Sequence, residues 1–468
     1  MPLSESIKKE LASIVGKSEV SFEKEDILCY SYDATKLSYL PDGVVFPKNA
    51  EEVSKILKLA NKENFYVVPR GAGSGMTGGS LPIDGGIILS TERMTTILEI
   101  DTHNMQAVVE PGVVTADLQS EVEKLGLFYP PDPASLKFST IGGNIAECAG
   151  GPRAVKYGVT RDYVMALEVV LPTGEIINTG VRTVKGVVGY DLTRLMVGSE
   201  GTLGVVTKAV LKLLPKPRCS KTMLVGFNSV KDAALAVEKV MLSGVIPSAL
   251  ELMDELCVKC LKDSGATGLP EGRSLLIAET DGSIAGANEE AELMEKLMKE
   301  AGAIAVVFAK DDNEAKDIWS KRREMSQAVA KLKPRKLNED VVVPRAKIAE
   351  LIEGVGEIAK KHDVIIASFG HAGDGNIHVN TMYDHNDESE VERALKAVEE
   401  VFKLTVKLHG TLSGEHGVGI TKSPYINMEI PESVTDVMKG IKKSLDPNNI
   451  LNPGKIFRDG NKKIPLVR

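Results

Sequence analysis

Between Arg70 and Ser80 the chain reads RGAGSGMTGGS, with glycine at positions 71, 73, 75, 78 and 79. Gly73 to Gly78 satisfy G-x-G-x-x-G directly after the apolar run FYVVP, which reads as a short strand. In a Rossmann fold such a loop opens a helix whose N-terminus meets a pyrophosphate. Here the chain continues into GGSLPIDGGIILS, where glycine and proline forbid a long helix. Nicotinamide binding of the Rossmann type is therefore disfavoured. Two readings of the loop stand: its successive N–H groups form an anion nest around a pyrophosphate, or it is an ordinary glycine-rich turn.

At 468 residues the chain is too long for one core, which predicts two domains or two with a short appendage. Asn49 reads as the N-cap of a helix that turns Val53, Ile56, Leu57 and Ala60 to one side. GGIILS, AVVEPG, MALEVVLPTGEIINT and GTLGVVTKAVLKLLP read as strands broken by turns. LLPKPRCS, 213–220, carries two prolines and basic residues and is the candidate boundary. Beyond it, helical and strand patterns alternate. ALELMDELCVKCLKDSG reads as one helix, VKDAALAVEKVMLSG and NEEAELMEKLMKEAG as two more, and RSLLIAETDG and IAVVFAK as strands. The domains expected are 1–218, 219–420 and 421–468.

Several classes are excluded or disfavoured. A net charge of −8 argues against nucleic acid as the main partner. No apolar run of the ~18 residues a membrane span needs is present. The N-terminal stretch is amphipathic, with Leu3, Ile7, Leu11, Ile14 and Val15 on one side, and lacks the apolar core of a signal peptide. A cytoplasmic protein is expected. Five scattered cysteines make no disulfide framework. Cys257 and Cys260 form a C-x-x-C inside the predicted helix, away from a helix start where a thiol is activated, and read as buried helix cysteines. The chain thus shows no iron–sulfur wiring of its own.

Three of the seven histidines draw attention. His371 and His378 flank an Asp374-Gly375 turn between two apolar strands, so a hairpin can bring both imidazoles to one point. Glu415-His416 follows in the glycine-rich LSGEHGVGI. Two imidazoles and a carboxylate suit zinc, iron(II) or manganese with positions left open for substrate. The alternative is a pair of hydrogen-bonded histidines half inside a core, and spacing alone does not decide between them. IWSKRREMS offers Arg322 and Arg323 as forks for a carboxylate. His103, His362, His385 and His409 read as loop or surface residues.

The run 130–162, PPDPASLKFSTIGGNIAECAGGPRAVKYGVTRD, is turn-rich with little helical periodicity, as binding segments often are. Taken with RGAGSGMTGG, VGSEGTLGVVT at 197–207 and ILNPGKIF at 450–457, it resembles the FAD-binding proteins of the vanillyl-alcohol-oxidase, or p-cresol methylhydroxylase (PCMH), type. The branch it is most similar to is the D-lactate dehydrogenase and glycolate oxidase FAD-subunit group. The resemblance implies an α+β fold, with a two-subdomain FAD domain and an α/β cap built on an antiparallel sheet. It implies that Arg70, Gly71, Ala72, Gly73, Ser74, Gly75, Met76 and Gly78 cradle the pyrophosphate. Pro131, Asp132, Ser135, Thr140, Gly142, Gly143, Asn144, Tyr157, Gly158, Glu200, Gly201 and Val206 would line the flavin, with Asn452 and Lys455 returning to it. Covalent members attach FAD through a histidine in the first loop; this loop has none, so non-covalent FAD is expected.

The same resemblance implies one divalent metal (Fe, Zn or Mn) on His371, His378 and Glu415, with His416 as base. It implies substrate contact by Asn380 and selects Arg322 over Arg323 as the carboxylate clamp. Lys336 and Asn338 align equally with a substrate lysine of related proteins. The reaction implied is oxidation of a D-2-hydroxy acid, D-lactate first. Metal-assisted alkoxide formation, proton removal by His416 and hydride transfer to flavin N5 would carry it. Electrons would pass to an electron-transferring flavoprotein or an iron–sulfur subunit. A glycolate oxidase FAD subunit and a flavin-dependent transferase like alkylglycerone-phosphate synthase are the alternatives.

Overall fold

The computed structural model describes residues 3–457. The helix Glu5–Val15 is capped by Ser4 and buries Leu11 and Val15. The helix Ala50–Glu63 follows Asn49, whose Oδ1 accepts the N–H of Glu52 at 2.9 Å. Its Val53, Ile56, Leu57 and Ala60 are wholly buried, as the periodicity requires. These two helices cover a four-stranded sheet ordered Val20–Ser21, Gly43–Val45, Ile87–Ser90, Val67–Arg70, in which the last three strands run parallel. A five-stranded antiparallel sheet follows, ordered Ile97–Asp101, Gln106–Val109, Val205–Lys212, Val164–Val170, Ile176–Gly180. Val170 and Val205 belong to the core of the first sheet, which locks the two sheets together.

Seven antiparallel strands form the third sheet, ordered Ala303–Phe308, Cys219–Phe227, Ser274–Gly282, Ala249–Met253, Ile365–His371, Asn376–Tyr383, Arg335–Val342. Leu250, Leu252, Val341, Ile377 and Val379 pack on the helices Val230–Leu242, Ile284–Glu300, Ile348–His362 and Glu388–Lys407. Alternation sends Met253, Ala367 and Phe369 to the other face, against Glu255–Asp263 and Asp312–Val329. At the far end of the chain Leu451 bridges Val67 in parallel, and the Asn452 N–H donates to the Val67 carbonyl at 2.8 Å. Among the described residues no helix is long and apolar enough to cross a membrane.

Two expectations about local structure fail. ALELM is a strand, Ala249–Met253, at the centre of the cap sheet, and the helix begins only at Glu255. All five strand residues are buried, and a continuous apolar run carries no periodicity to separate strand from helix. Cys257 therefore sits in the first turn of its helix, with Asp254 Oδ1 accepting its N–H at 2.8 Å. The helix start does not activate its thiol, because burial first, then the Asp254 carboxylate, push its pKa up. The 130–162 segment also holds two short helices, Ile141–Glu147 and Ala154–Tyr157, too short for periodicity to register.

Candidate active site

The 70–79 loop, the start of the Ile141–Glu147 helix and the Ser199–Val206 segment surround a cavity of about 750 Å³, within the ~300–1,000 Å³ usual for cofactor sites. Thr140 caps the short helix, its Oγ1 accepting the Gly143 N–H at 3.4 Å. Gly142 and Gly143 line the cavity from this turn, the Gly142 N–H being held by the Pro111 carbonyl at 2.8 Å. A Cβ at Gly71 would overlap Thr140 Oγ1, so only glycine lets the two segments touch. Arg70 braces the loop, donating to the Tyr32 carbonyl at 2.8 Å and Ser80 Oγ at 3.3 Å. Glycine backbone on several sides of a cavity this size is a fit for a flat ring and a pyrophosphate.

Of the residues the sequence assigned to the cofactor, Arg70 to Met76, Asp132, Ser135, Thr140, Gly142, Gly143, Asn144, Glu200, Gly201 and Val206 line this cavity. Six expected contacts do not. Gly78 packs on Ile420. Pro131 lies beside the wall, its carbonyl accepting from Gln119 Nε2 at 2.9 Å. Tyr157 instead ties the two halves together, its hydroxyl donating to Asp281 Oδ2 at 2.7 Å. Gly158 is the left-handed C-cap of the short helix before it. Asn452 braces the wall from behind, donating to the carbonyls of Gly79 at 2.9 Å and Glu200 at 2.7 Å. Lys455 likewise donates to the Leu81 carbonyl at 2.6 Å. Asn380, expected to touch substrate, is wholly buried and donates to the His378 carbonyl at 3.2 Å.

At one end the cavity reaches the cap sheet. Glu251 pairs directly with His371, His371 with Asn376, and Asp340 with His378. Direct partners share a face, and Asn376 and His378 are two apart, so the polar residues line up on one side. His371 Nε2 lies 3.2 Å from Glu415 Oε1 and 3.4 Å from His378 Nε2, and His378 Nε2 lies 3.7 Å from Glu415 Oε1. The hairpin turn that creates this convergence needs Gly375, at φ +89°, where a Cβ would overlap the Val343 carbonyl. The ring of His416 stacks on that of His378, with centroids 5.2 Å apart and 9° between planes.

Two buried carboxylates hold these groups. Glu251 accepts from His371 Nδ1 and from Arg322 Nε, each at 2.6 Å, which leaves His371 Nε2 facing the cluster. Burial works against its charge, but His371 and Arg322 outweigh burial and keep its pKa below the usual carboxylate range. Burial likewise opposes a charged His371, yet Glu251 and Glu415 hold its pKa well above the ordinary value. His378 goes the other way, kept neutral by burial and by the neighbouring His371 and His416. Asp340 Oδ2 accepts the N–H groups of Gly414, Glu415 and His416 at 3.0, 2.7 and 2.9 Å, and its Oδ1 accepts from Asn376 at 2.5 Å.

The donor set fits a divalent cation. Ligand atoms of Asp340, His378, Glu415 and His416 also lie within 4.8 Å of one another. Asp340 is nevertheless committed to four hydrogen bonds, so the tighter trio of His371, His378 and Glu415 is the better ligand set. Arg322 lies at the cavity wall with its guanidinium 4.8 Å over the Phe369 ring, while Arg323 is exposed at the rim. Ser326, Asn338 and Trp319 complete this end. Trp319 donates to Glu279 at 2.8 Å.

Sequence reading missed Glu251 and Asp340, the residues that orient the rest. It also missed how the Gly414–Ile420 segment is hung between the two halves. Glu200 on the cofactor wall accepts the N–H groups of Val418 and Gly419, both at 2.7 Å, and Thr77 Oγ1 donates to the His416 carbonyl at 3.0 Å. No local pattern marks Glu251 within ALELM; an acidic residue inside an otherwise apolar buried run was the available signal.

Residues 41–180 match the family model described as FAD binding domain, and residues 216–456 that described as FAD linked oxidases, C-terminal domain. The chain is 43% identical over 469 residues to glycolate oxidase subunit GlcD of Bacillus subtilis (strain 168), covering 100% of both. It is 39% identical over 426 residues to a D-lactate dehydrogenase of Anaerostipes hadrus, covering 89% of both. A solved p-cresol methylhydroxylase with bound substrate matches at a TM-score of 0.82 and 18% identity, over 99% of this chain and 100% of that one, a likeness of fold.

Proposed function

The chain belongs to the FAD-linked oxidases, and on that premise we propose that it oxidises a D-2-hydroxy acid, D-lactate first, to the 2-oxo acid. The observation that carries the reading is the convergence of His371, His378 and Glu415 beside His416 and Arg322 at one end of the glycine-lined cavity. Bound FAD would supply the two-electron acceptor, and a divalent cation on the trio would acidify the substrate hydroxyl.

The chain's own residues would do the rest. Arg322 has its Nε occupied by Glu251, so its terminal nitrogens would meet the substrate carboxylate. His416 would take the hydroxyl proton, and its position follows from the Asp340 grip on its N–H and the Thr77 bond to its carbonyl. Ser326 and Asn338 line the same end and would border the remainder of the acid. Glu251 would set the acid's carboxylate end and the ligand ring together, since it holds both Arg322 and His371.

Glycolate is the second reading, favoured by the Bacillus subtilis relative. It differs from D-lactate by one methyl, which a pocket discriminates by only about 1–3 kcal/mol. Reoxidation by a partner protein, an electron-transferring flavoprotein or an iron–sulfur subunit, completes the proposal. Its support is that the C-x-x-C thiols are buried, and burial pushes both pKa values up, away from thiolate chemistry. Anaerobic stopped-flow mixing of the FAD-loaded protein with D-lactate, L-lactate and glycolate tests the reading. Flavin bleaching by D-lactate well ahead of L-lactate is expected; no bleaching by any 2-hydroxy acid would end it. Fast turnover with oxygen or NAD+ alone would remove the partner.

A further inference from the structure

Glu147 ends the short helix that presents Gly142 and Gly143 to the cavity, and it lines that cavity itself. Its Oε1 stands 2.9 Å from where a Cβ on Gly79 would lie, and its Oε2 occupies the space a Cβ on Gly417 would need. The carboxyl is thus wedged between the glycine loop and the residue after His416. Its Oε2 is sealed from solvent and has no hydrogen-bond partner among the described residues. The neighbouring Glu200 differs: both its oxygens accept backbone N–H groups. Lys422, the cation whose charge acts on Glu147, spends its amino group on Ser413 Oγ at 3.0 Å and the Asp340 carbonyl at 3.4 Å.

A buried carboxylate beside a second one, with no donor of its own, is the costliest state such a group can occupy. Burial first, and then Glu200 and Asp33, push the Glu147 pKa well above the usual carboxylate range. The neutral acid that results finds no acceptor among the described residues, and its other oxygen, Oε1, lies beside Gly75 and Gly79, both of which line the cavity. The reacting part of a flavin must lie at this end, because His416 and the ligand trio are here. The edge of an isoalloxazine ring offers oxygen and nitrogen acceptors.

We propose that Glu147 is a neutral carboxylic acid that donates a hydrogen bond to the ring of the bound flavin. The bond strengthens as the ring gains electrons, so it favours the reduced form. This rests on the flavin ring lying at the end of the cavity where the proposed function places the chemistry, and not on which 2-hydroxy acid is oxidised.

The test uses FAD-loaded protein reduced by dithionite, without substrate. Infrared difference spectra between oxidised and reduced protein should contain a protonated-carboxyl C=O band that Glu147→Gln removes. Absence of that band, or a carboxylate band in its place, overturns the proposal, since an ionised Glu147 could only accept from the ring. At a fixed redox poise, Glu147→Leu should lower the ratio of reduced to oxidised flavin about fivefold, the weight of one buried hydrogen bond. Glu147→Gln, which keeps a donor, should stay close to the parent. A Leu variant with the parent's visible spectrum and redox ratio also overturns it. If the Leu variant loses its flavin, the infrared comparison with Gln still decides. Normal dithionite behaviour with no bleaching by any 2-hydroxy acid would sink the substrate reading and leave this one standing.

Discussion

Replacing Glu251 by glutamine tests whether one buried carboxylate organises both the ligand set and the clamp. The side chain is wholly buried and receives His371 Nδ1 and Arg322 Nε at 2.6 Å each. Glutamine keeps the shape but offers one acceptor oxygen, so either the histidine or the arginine must face an N–H₂ group. Charge-assisted hydrogen bonds are worth about 1.5–3 kcal/mol each, and breaking a buried ion set costs roughly 3–5 kcal/mol. The metal-free variant should lose stability on that order in denaturant unfolding. Glu251 has a folded-state pKa below the ordinary one, so its contribution is present above about pH 4.3 and lost as pH falls through the folded value. The gap between variant and parent should therefore narrow in acid. Loss of an outer-shell carboxylate typically lowers metal affinity about 10–100-fold, which competition with a chelator measures. The half-saturating acid concentration should rise in parallel, because Arg322 is freed from its anchor. A folded variant with metal affinity and half-saturation both within about twofold of the parent would refute the reasoning.

Three further outcomes are expected. His416→Ala should slow flavin reduction by the acid at least about 100-fold while FAD and metal stay bound, and near-normal reduction in stopped flow would remove the base assignment. Arg322→Lys turns a fork into a point charge and should raise KM about tenfold with a smaller change in kcat; an unchanged KM in steady-state assays would point to another clamp. Burial and the nearby Lys36 bring the Lys336 pKa down to about 8 from 10.5, so between those values the unfolded chain holds a proton the folded chain lacks. Stability rises with pH across that window. Lys336→Met should thus raise Tm at pH 7 and lose the advantage near pH 10.5, whereas a pH-independent gain would contradict the sign. The 2.7 Å bond to Ser326 is lost at every pH and does not enter the comparison.

Legibility in the sequence followed the range of the interaction that sets each feature. The capped helix Ala50–Glu63 and the hairpin carrying His371 and His378 were readable because caps, turns and periodicity act within a few residues. The strand Ala249–Met253 was not, because its type is decided by neighbours at 274–282 and 365–371 that no local pattern reveals. Glu251 was lost with it, since its meaning appears only once His371 is its cross-strand partner. Tyr157 and Asn452, expected at the flavin, stand outside the cavity lining for the same cause: their hydrogen bonds go to Asp281 and to the carbonyls of Gly79 and Glu200.

The segment 414–420 shows what such long-range constraints accomplish. It carries both an expected ligand, Glu415, and the expected base, His416, yet it has no helix or strand to stiffen it. Its rigidity comes instead from two buried acids on opposite sides. Asp340, on the cap sheet, holds three consecutive N–H groups, and Glu200, on the cofactor wall, holds two more. An acid accepting several backbone N–H groups fixes a loop about as firmly as a strand pairing would, and does so without covering its side chains. The expected ligand and base are therefore indexed to the cap sheet and the cavity wall at once. Any shift of the cap relative to the cavity wall must break one of these grips, so the placement of Glu415 and His416 against that wall is set by Asp340 and Glu200.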